Sequence, residues 1–412
     1  LHLCDRRQRQ MCIRDRYNKL EKEGKKHLTP AIKTELDKLS QQLRILIDPV
    51  IVRRSRIDLQ EIKEYADDLK VQNIQFPKIV GPELVEYDLG EIRPLYLQTL
   101  NLLSNKFICA RYNPSAYLVN PEAFTKQYGE FFGEINIQLS QRNLAMFIKR
   151  LLVMRFESSK SAFKSTLTSI LLSYENIIKW WDKGYVPIKK RGYLPDPDDE
   201  EIQETLDEIS AIDELGVDID KIKKKAIPID KNLFREEFIS AVRSDIELLR
   251  GIYTDWFERD EIGIDPKYNV VKNRISKSLE ENTSRKIVVF STYADTAEYV
   301  KSHLERDGFR VLLYTGGASQ VERSIVRRNF DASCKKEDQL NDFDIIVATD
   351  ALSEGFNLNR AGVIINYDIP YNPTRVVQRI GRINRINKKM FDEIYIYNFF
   401  PTDIGEENTL IK

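Results

Sequence analysis

Three arginines near the C-terminal end of the chain have a spacing suited to anion binding. In the stretch QRIGRINR, Arg379, Arg382 and Arg385 follow one another at intervals of three residues. On a helix this spacing brings the guanidinium groups onto nearly one face, where the cations repel one another unless an anion bridges them. Surface arginine clusters are common, so the spacing alone leaves a solvated helix face as an alternative. Gly381 has no side chain and leaves space beside the arginines, which favours a polyphosphate partner.

Two further segments combine small residues with polar ones. Gly316 and Gly317 stand between an apolar stretch and a helical one, where backbone N–H groups can approach a phosphate. A Gly–Gly pair also occurs in tight turns that bind no phosphate. In the stretch ATDALSEGFNL, Thr349 and Asp350 supply a hydroxyl and a carboxylate at the end of an apolar run, and Gly355 permits close approach.

Strands and helices alternate through the last third of the chain and carry these segments. The predicted strands cover residues 286–291, 309–315, 344–349, 363–367 and 393–399, and the predicted helices cover residues 294–306, 319–330 and 374–385. This alternation predicts an α/β domain at residues 276–412, with a parallel sheet covered by helices on both faces. In such a sheet, ligands bind beyond the C-terminal ends of the strands, where all three segments fall.

The preceding part of the chain is predicted to be mainly helical. Residues 17–90 contain a helical stretch and a strand at 79–89, and residues 91–275 form a helical region with an acidic linker at 196–220. Trp180 and Trp181 follow an apolar helix and are predicted to lie in the core rather than to stack on bases. The acidic linker is predicted to be solvated, with occupation of a nucleic-acid groove as the alternative.

The overall composition excludes several classes of protein. The 412 residues include 64 basic and 64 acidic side chains, so any contact with nucleic acid must be local rather than driven by bulk charge. No run approaches the roughly 18 apolar residues of a membrane span. The 4 cysteines include no CxxC pair, so no metal site is predicted. These features favour a cytoplasmic protein.

The first residues require separate treatment. Residues 6–15, RRQRQMCIRD, resemble the translation of a transposase adapter used to prepare sequencing libraries. A basic arm that touches nucleic acid is the alternative. We interpret residues 1–16 as a sequencing artefact and leave them out of the fold prediction.

The three C-terminal segments, taken together and in this order, resemble the second motor lobe of superfamily-two helicases. QRIGRINR resembles helicase motif VI, ATDALSEGFNL resembles motif V, and KIVVFS with YTGGAS resembles motif IV and its neighbour. The phrase VIINYDIPYNPTRVVQRIGRINR resembles bacterial RapA-like members of the Swi/Snf group, and RFESSKSAF at residues 155–163 resembles an interlobe helical element of bacterial relatives. DPVIVRRSRIDL and FPKI resemble the segment that leaves the first motor lobe, which implies that residues 17–90 are the remnant of that lobe and its exit segment. The resemblance implies a RecA-like lobe, ATP with Mg²⁺ as cofactor, and nucleic acid as partner, with double-stranded DNA expected and RNA left open.

The resemblance also implies roles for individual residues. Arg382 and Arg385 occupy the positions of arginine fingers that reach the γ-phosphate. Gly355 and Asn357 match positions near the nucleotide ribose, and Gln378 and Arg379 match positions that brace the same cofactor-binding helix. The positions implied to contact the backbone of a nucleic-acid strand are Ser291, Gly316, Gly317 and Thr349.

The sequence contains no phosphate-binding loop of the type GxxxxGK[ST]. A helicase motor needs this loop and an acidic strand end for Mg²⁺, and we expect both to reside in a first lobe outside this sequence. The fragment alone is therefore expected not to hydrolyse ATP. Two alternatives remain: a non-catalytic nucleic-acid-binding or regulatory module that docks to a separate ATPase, and an unrelated phosphate-binding α/β enzyme.

Overall fold

The computed structural model describes residues 38–39, 41–42, 62–71, 76–132, 137–189, 226–259, 265–353, 355–370, 372–384 and 390–401. The chain divides into two compact units, Leu1–Gln75 and Phe76–Lys412. In the first unit, helix α1 spans Lys63–Val71. The predicted artefact at residues 1–16 and the acidic linker at 196–220 lie outside the described residues.

One parallel sheet organises the described part of the second unit. Its six strands follow the order β1-β8-β7-β4-β6-β5, and every pair of neighbours is parallel. The strands are β1 (Lys78–Tyr87), β4 (Lys286–Phe290), β5 (Val311–Tyr314), β6 (Ile345–Ala348), β7 (Ala361–Asn366) and β8 (Glu393–Pro401). The predicted α/β fold is confirmed.

Helices cover both faces of this sheet, as the apolar strands require. All residues of β4, β6 and β7 are buried, which is typical of central parallel strands. Ile287 and Val289 pack in one core cluster with α7 (Pro266–Glu281) and α8 (Ala294–Arg306). Val288 and Phe290 point the other way and pack in a second cluster with α9 (Gln320–Phe330) and α10 (Pro373–Ile383).

Strand β1 differs from the sequence-based division of the chain. Residues 17–90 were predicted as a segment apart from the C-terminal domain, but β1 pairs with β8 from Lys78–Glu393 to Tyr87–Pro401. The strand therefore completes the sheet of the C-terminal domain. Two segments more than 300 residues apart in sequence meet here, and local patterns carry no information about such a pairing.

The helical region shares the core of the sheet domain. Its helices are α2 (Arg93–Asn101), α3 (Pro121–Phe132), α4 (Ile137–Ser158), α5 (Lys160–Asp182) and α6 (Glu237–Phe257), with an antiparallel pair β2 (Tyr185–Lys189) and β3 (Ala226–Asp230). Trp180 and Trp181 are buried, which confirms their predicted place in the core. Side chains from α4, α5 and α6 join the same apolar cluster as Ile287 and Val289. Within the described residues, no helix is long and apolar enough to cross a membrane.

A buried carboxylate fixes one turn of the helical region. Asp245 on α6 accepts hydrogen bonds from the backbone N–H groups of Ile108 and Ala110, at 2.8 and 2.9 Å, and from the hydroxyl of Tyr174 at 2.9 Å. The residue between the two amides, Cys109, has a φ of 67°, in the left-handed region that costs a non-glycine residue free energy. Asp245 therefore stabilises a backbone conformation that the local sequence disfavours.

Replacement of this carboxylate should destabilise the protein. We expect Asp245→Ala to lower the free energy of unfolding by about 3 kcal/mol or more, because the buried donors of Ala110 and Tyr174 and the part-buried N–H of Ile108 lose their acceptor. Glu247→Ala changes an exposed carboxylate on the same helix and should stay within about 0.5 kcal/mol of wild type. Urea denaturation of both variants measures the difference, and equal stabilities would contradict this account.

Candidate nucleotide and nucleic-acid interface

The C-terminal ends of three neighbouring strands bring polar residues together at one edge of the sheet. Ser291 follows β4, Thr349 and Asp350 follow β6, and Asp368 lies just beyond β7. Because all strands are parallel, these residues gather at the edge where α/β proteins bind ligands. Helix α10, which carries Arg379 and Arg382, lies against the same edge through Asp350.

Arg379 is enclosed at the centre of this edge. Its side chain is 0% exposed, and its Nε and Nη2 donate to the two carboxylate oxygens of Asp350 at 2.6 and 2.9 Å. Its Nη1 donates to Asn366 Oδ1 at 3.0 Å and to the backbone carbonyl of Asp368 at 3.2 Å. The guanidinium also lies 5.0 Å from the ring centroid of Phe290. The two-pronged pairing matches the planar geometry of both groups.

This geometry corrects the sequence-based expectation for Arg379. The spacing predicted that Arg379 shares an anion with Arg382 and Arg385, but its donors reach protein acceptors and its side chain has no solvent exposure. The role of Arg379 as a brace of the cofactor-binding helix stays a prediction. The anion that neutralises it is Asp350. The sequence shows both residues, but their pairing over 29 positions is a tertiary contact.

A second cluster lies beside the first and centres on Asp368. Its carboxylate accepts from Lys267 Nζ at 3.0 Å, from Ser291 Oγ at 2.6 Å and from Ser158 Oγ at 2.8 Å. Lys267 also donates to the backbone carbonyls of Glu157 and Ser158, each at 3.1 Å. The end of α4 and the start of α7 are therefore fixed to the ends of β4 and β7.

Two of the predicted nucleic-acid contacts are buried in this structure. Ser291 is 0% exposed and donates its hydroxyl hydrogen to Asp368, and Thr349 is 2% exposed. Neither side chain is exposed in this structure, and their contact with a phosphate backbone stays a prediction. Their hydroxyls are polar groups at strand ends, as expected, but the protein's own packing encloses them.

The other predicted site residues are more accessible. Gly316 and Gly317 form an exposed turn after β5, in which Gly317 has a φ of 78° that favours glycine. Gly355 is exposed with a φ of 81°, Asn357 is half-buried, and Gln378 is exposed on α10. Arg382 is half-buried one turn after Arg379. Arg385 lies outside the described residues.

A backbone hydrogen bond places two of the predicted nucleotide segments side by side. The N–H of Leu358 donates to the carbonyl of Arg382 at 3.0 Å. The loop that contains Gly355 and Asn357 therefore lies against the C-terminal turn of α10. Segments that match motifs V and VI are adjacent in space as well as in the order of the sequence.

Sequence reasoning missed the residues that attach the helical region to this edge. Lys267, Asp368 and Arg155 carry these contacts, and Arg155 donates to Thr166 at 2.8 Å and to Asp295 at 2.9 Å. The stretch RFESSKSAF drew attention by resemblance, and it supplies both Arg155 and Ser158. Its isolated charges and hydroxyls gave no indication of which partner each would meet.

Comparison with known proteins identifies the domain. Residues 267–387 match the family described as "Helicase conserved C-terminal domain". The match assigns a helicase C-terminal domain to this part of the chain. The match includes Lys267, the strands β4 to β7 and helix α10 with its arginines.

Individual relatives agree with this assignment of the helicase lobe. "Uncharacterized ATP-dependent helicase YqhH" of Bacillus subtilis is 30% identical over 125 residues, which are 30% of this chain and 20% of that protein. "ATP-dependent RNA helicase RhlB" of Shewanella woodyi is 39% identical over 119 residues, 29% of this chain and 25% of that protein. The chain thus spans a quarter or less of the length of these two curated relatives.

A likeness to one solved structure extends beyond the lobe but is weak. The likeness to the helicase domain of Hef from Pyrococcus furiosus covers 91% of this chain and 63% of the Hef chain, at 16% sequence identity and a TM-score of 0.41. At this TM-score the likeness supports no conclusion about the fold or function of the chain. The assignment of the helicase lobe therefore depends on the sequence match and on the observed sheet.

Two of the predicted nucleotide-binding residues lie beside open space. Gly355 leaves open space around its Cα, because an added Cβ would meet nothing within 4 Å, and Arg382 lies on the adjacent helix turn. Among the described residues no group of three or more His, Cys, Asp or Glu side chains is placed to hold a metal ion. This arrangement has the form expected of one wall of an ATP site.

The cluster around Asp368 gives a direct test of how the helical region is held. We expect Lys267→Met to lower the free energy of unfolding by about 3 kcal/mol or more, because it leaves a 10% exposed carboxylate without its cation. Lys272→Met removes a 38% exposed lysine of the same helix from its pair with Asp307 and should cost about 1 kcal/mol or less. Chemical denaturation distinguishes the two, and equal losses would contradict the buried network.

Proposed function

We propose that this chain supplies the second motor lobe of an ATP-dependent nucleic-acid translocase of the RapA-like Swi/Snf type, with double-stranded DNA as its track. The observation that carries the proposal is the contact between Leu358 and Arg382, which brings the loop of Gly355 and Asn357 against the arginine helix. Together these segments would form one wall of a nucleotide site at the carboxyl edge of the sheet. Names of curated relatives that include "RNA helicase" leave RNA as the alternative track.

In this proposal, Arg382 and Arg385 act as arginine fingers. The side chains would approach the γ-phosphate of ATP and stabilise the negative charge that develops during its transfer. The buried pair of Arg379 with Asp350 holds the helix one turn earlier, so that Arg382 is presented from a rigid support. Arg379 is thus a positioning residue rather than a contact for the nucleotide.

ATP bound with Mg²⁺ would supply the transferable phosphoryl group. Gly355 and Asn357 would lie beside the ribose, and Gln378 would brace the helix from its exposed side. The phosphate loop and the acidic ligands for Mg²⁺ would come from a first lobe, because the 412-residue sequence contains no GxxxxGK[ST] motif. The arginines would act only when the two lobes close on one nucleotide.

Contact with the nucleic-acid strand would come from the exposed turn at Gly316 and Gly317. Backbone N–H groups in such a turn can bind phosphate without reading the bases. A contact of this type suits a motor that moves along any sequence. The second candidate is a non-catalytic module that docks to a separate ATPase.

An assay of ATP hydrolysis tests whether the two lobes contribute different groups to one nucleotide site. The chain alone should bind DNA but show no DNA-stimulated hydrolysis, because the groups that hold the phosphates are absent from its sequence. In an assembly that also contains the first lobe, Arg382→Ala should lower kcat by about 1,000-fold. Arg323→Ala, an exposed arginine of α9, is the matched control and should leave kcat unchanged.

Two results would contradict the proposal. DNA-stimulated hydrolysis by the isolated chain that is lost in Arg382→Ala would show that the nucleotide site is complete here. Full activity of Arg382→Ala in the two-lobed assembly would show that this residue is not an arginine finger. Activity that is absent from the two-lobed assembly in every variant would favour the non-catalytic module.

A further inference from the structure

An open groove lies on the helical region, between residues 113–121 and the first turns of α4. It has a volume of about 570 Å³, and Arg235, which follows β3, also lines it. Ligand sites in proteins commonly have volumes of roughly 300–1,000 Å³. The groove is therefore large enough to receive several side chains of a bound peptide.

Exposed apolar side chains lie along this groove. Val119 and Leu139 line it and are 62% and 56% exposed. Met146, which is 61% exposed, follows Leu139 by seven residues on α4, and this spacing puts both side chains on the same face of the helix. Neighbouring apolar side chains that remain in contact with water are typical of an interaction surface.

The charged side chains that line the groove are both arginines. Arg142 is exposed on α4, and Arg235 is exposed and donates from its Nη2 to the carbonyl of Ala116 at 2.7 Å. Among the described residues, no aspartate or glutamate lines the groove. A guanidinium group has five N–H donors, so both arginines have donors left for carboxylates. The groove thus combines positive charge with apolar surface.

The acidic linker of residues 196–220 has the complementary composition. It contains twelve aspartates and glutamates and no lysine or arginine. Its apolar residues Ile202, Leu206 and Ile209 are spaced by four and three positions, which is the spacing of one face of a helix. A nucleic-acid backbone would satisfy the arginines of the groove but leave its apolar side chains in water. A segment with acidic and apolar residues side by side meets both.

The two points at which the linker joins the described chain lie within reach of the groove. Residues 190–225 follow Lys189 and precede Ala226, and these two residues are paired with each other in β2 and β3. Arg235 follows Ala226 by nine residues, which span at most ~32 Å when fully extended. Ile209 precedes Ala226 by 17 residues, which can span up to ~60 Å. The middle of the linker can therefore reach the groove of its own chain.

We propose that residues 196–220 dock in this groove of the same chain. The apolar residues of the linker pack against Val119 and Leu139, and its carboxylates pair with Arg142 and Arg235. Because the linker is tethered at both ends, its effective concentration at the groove is high without any partner molecule. The linker, which its composition alone predicts to be solvated, is thus a ligand of the helical region. The groove contains none of the residues to which nucleotide or nucleic-acid binding is assigned above.

Proteolysis of the complete chain measures whether the linker is docked. A protease that cleaves after glutamate is added to the 412-residue chain, and mass spectrometry follows cleavage after Glu204 and Glu208. Cleavage needs an undocked linker, so its rate follows the undocked fraction. We expect cleavage in the wild-type chain to be about tenfold slower than in a free peptide of residues 196–220. The double variant Leu206→Ser/Ile209→Ser should lose this protection, measured against a free peptide with the same substitutions.

A charge reversal in the groove connects the protection to this surface. Arg142→Asp leaves the linker unchanged and should raise the cleavage rate about tenfold, because an aspartate repels the carboxylates of the linker. Arg243→Asp makes the same change at an exposed arginine of α6 outside the groove and should keep the wild-type rate. Combining Arg142→Asp with the two linker substitutions should give no further increase, because both changes remove the same docked state. Thermal unfolding confirms that each variant is folded.

Four results would overturn this proposal. Cleavage of the wild-type chain at the rate of the free peptide would show that the linker is not held. Protection that persists in Arg142→Asp would show that the linker is held at another surface. Protection that depends on protein concentration would show that the linker docks on a second copy of the chain. If Arg142→Asp weakens binding of labelled oligothymidylate and leaves the cleavage rate unchanged, the groove binds nucleic acid instead.

Discussion

The carboxyl edge of the lobe depends on one buried ion pair. Arg379 reaches Asp350 with two hydrogen bonds, and its remaining donors reach Asn366 and the backbone of Asp368. The guanidinium group of Arg379 on α10 thereby binds the ends of both β6 and β7. A buried pair of this kind is strongly destabilising when one partner is lost, because the other charge is left without compensation. The same pair sets the direction in which the following turn of α10 presents Arg382.

The helical region and the lobe form one body around this edge. Strand β1 pairs with β8, and Lys267 joins the end of α4 to Asp368. An apolar cluster runs from the helices of residues 93–257 to one face of the central strands. A movement of the lobe would therefore carry the helical region with it.

Local patterns predict the elements of the lobe well. The helix Ala294–Arg306 has the predicted bounds, because Gly308 follows it with a φ of 91° that suits a helix end. Ser319 caps α9 with a reciprocal capping box involving Glu322, as its position before the helix suggests. The central strands are continuous apolar runs, and their burial on both faces requires that composition.

The sequence does not reveal which residues pair when they lie far apart in the chain. The spacing of Arg379, Arg382 and Arg385 indicates an anion, but the first of these meets a carboxylate of the protein itself. Ser291 and Thr349 have the chemistry to bind phosphate, but packing encloses both. The pairing of β1 with β8 spans most of the chain. In each case the residue type is informative, and the partner is fixed only by the tertiary fold.

A double-mutant cycle on Arg379 and Asp350 tests the central claim most directly. The free energies of unfolding of Arg379→Met, Asp350→Asn and the double variant are measured by chemical denaturation and compared with wild type. The account predicts a coupling energy of about 2 kcal/mol or more, because Asp350→Asn leaves the buried guanidinium of Arg379 without its anion, and Arg379→Met leaves Asp350 only the longer contact with Arg375 at 3.5 Å. A coupling energy below about 0.5 kcal/mol would show that the two sites behave independently and would contradict the account.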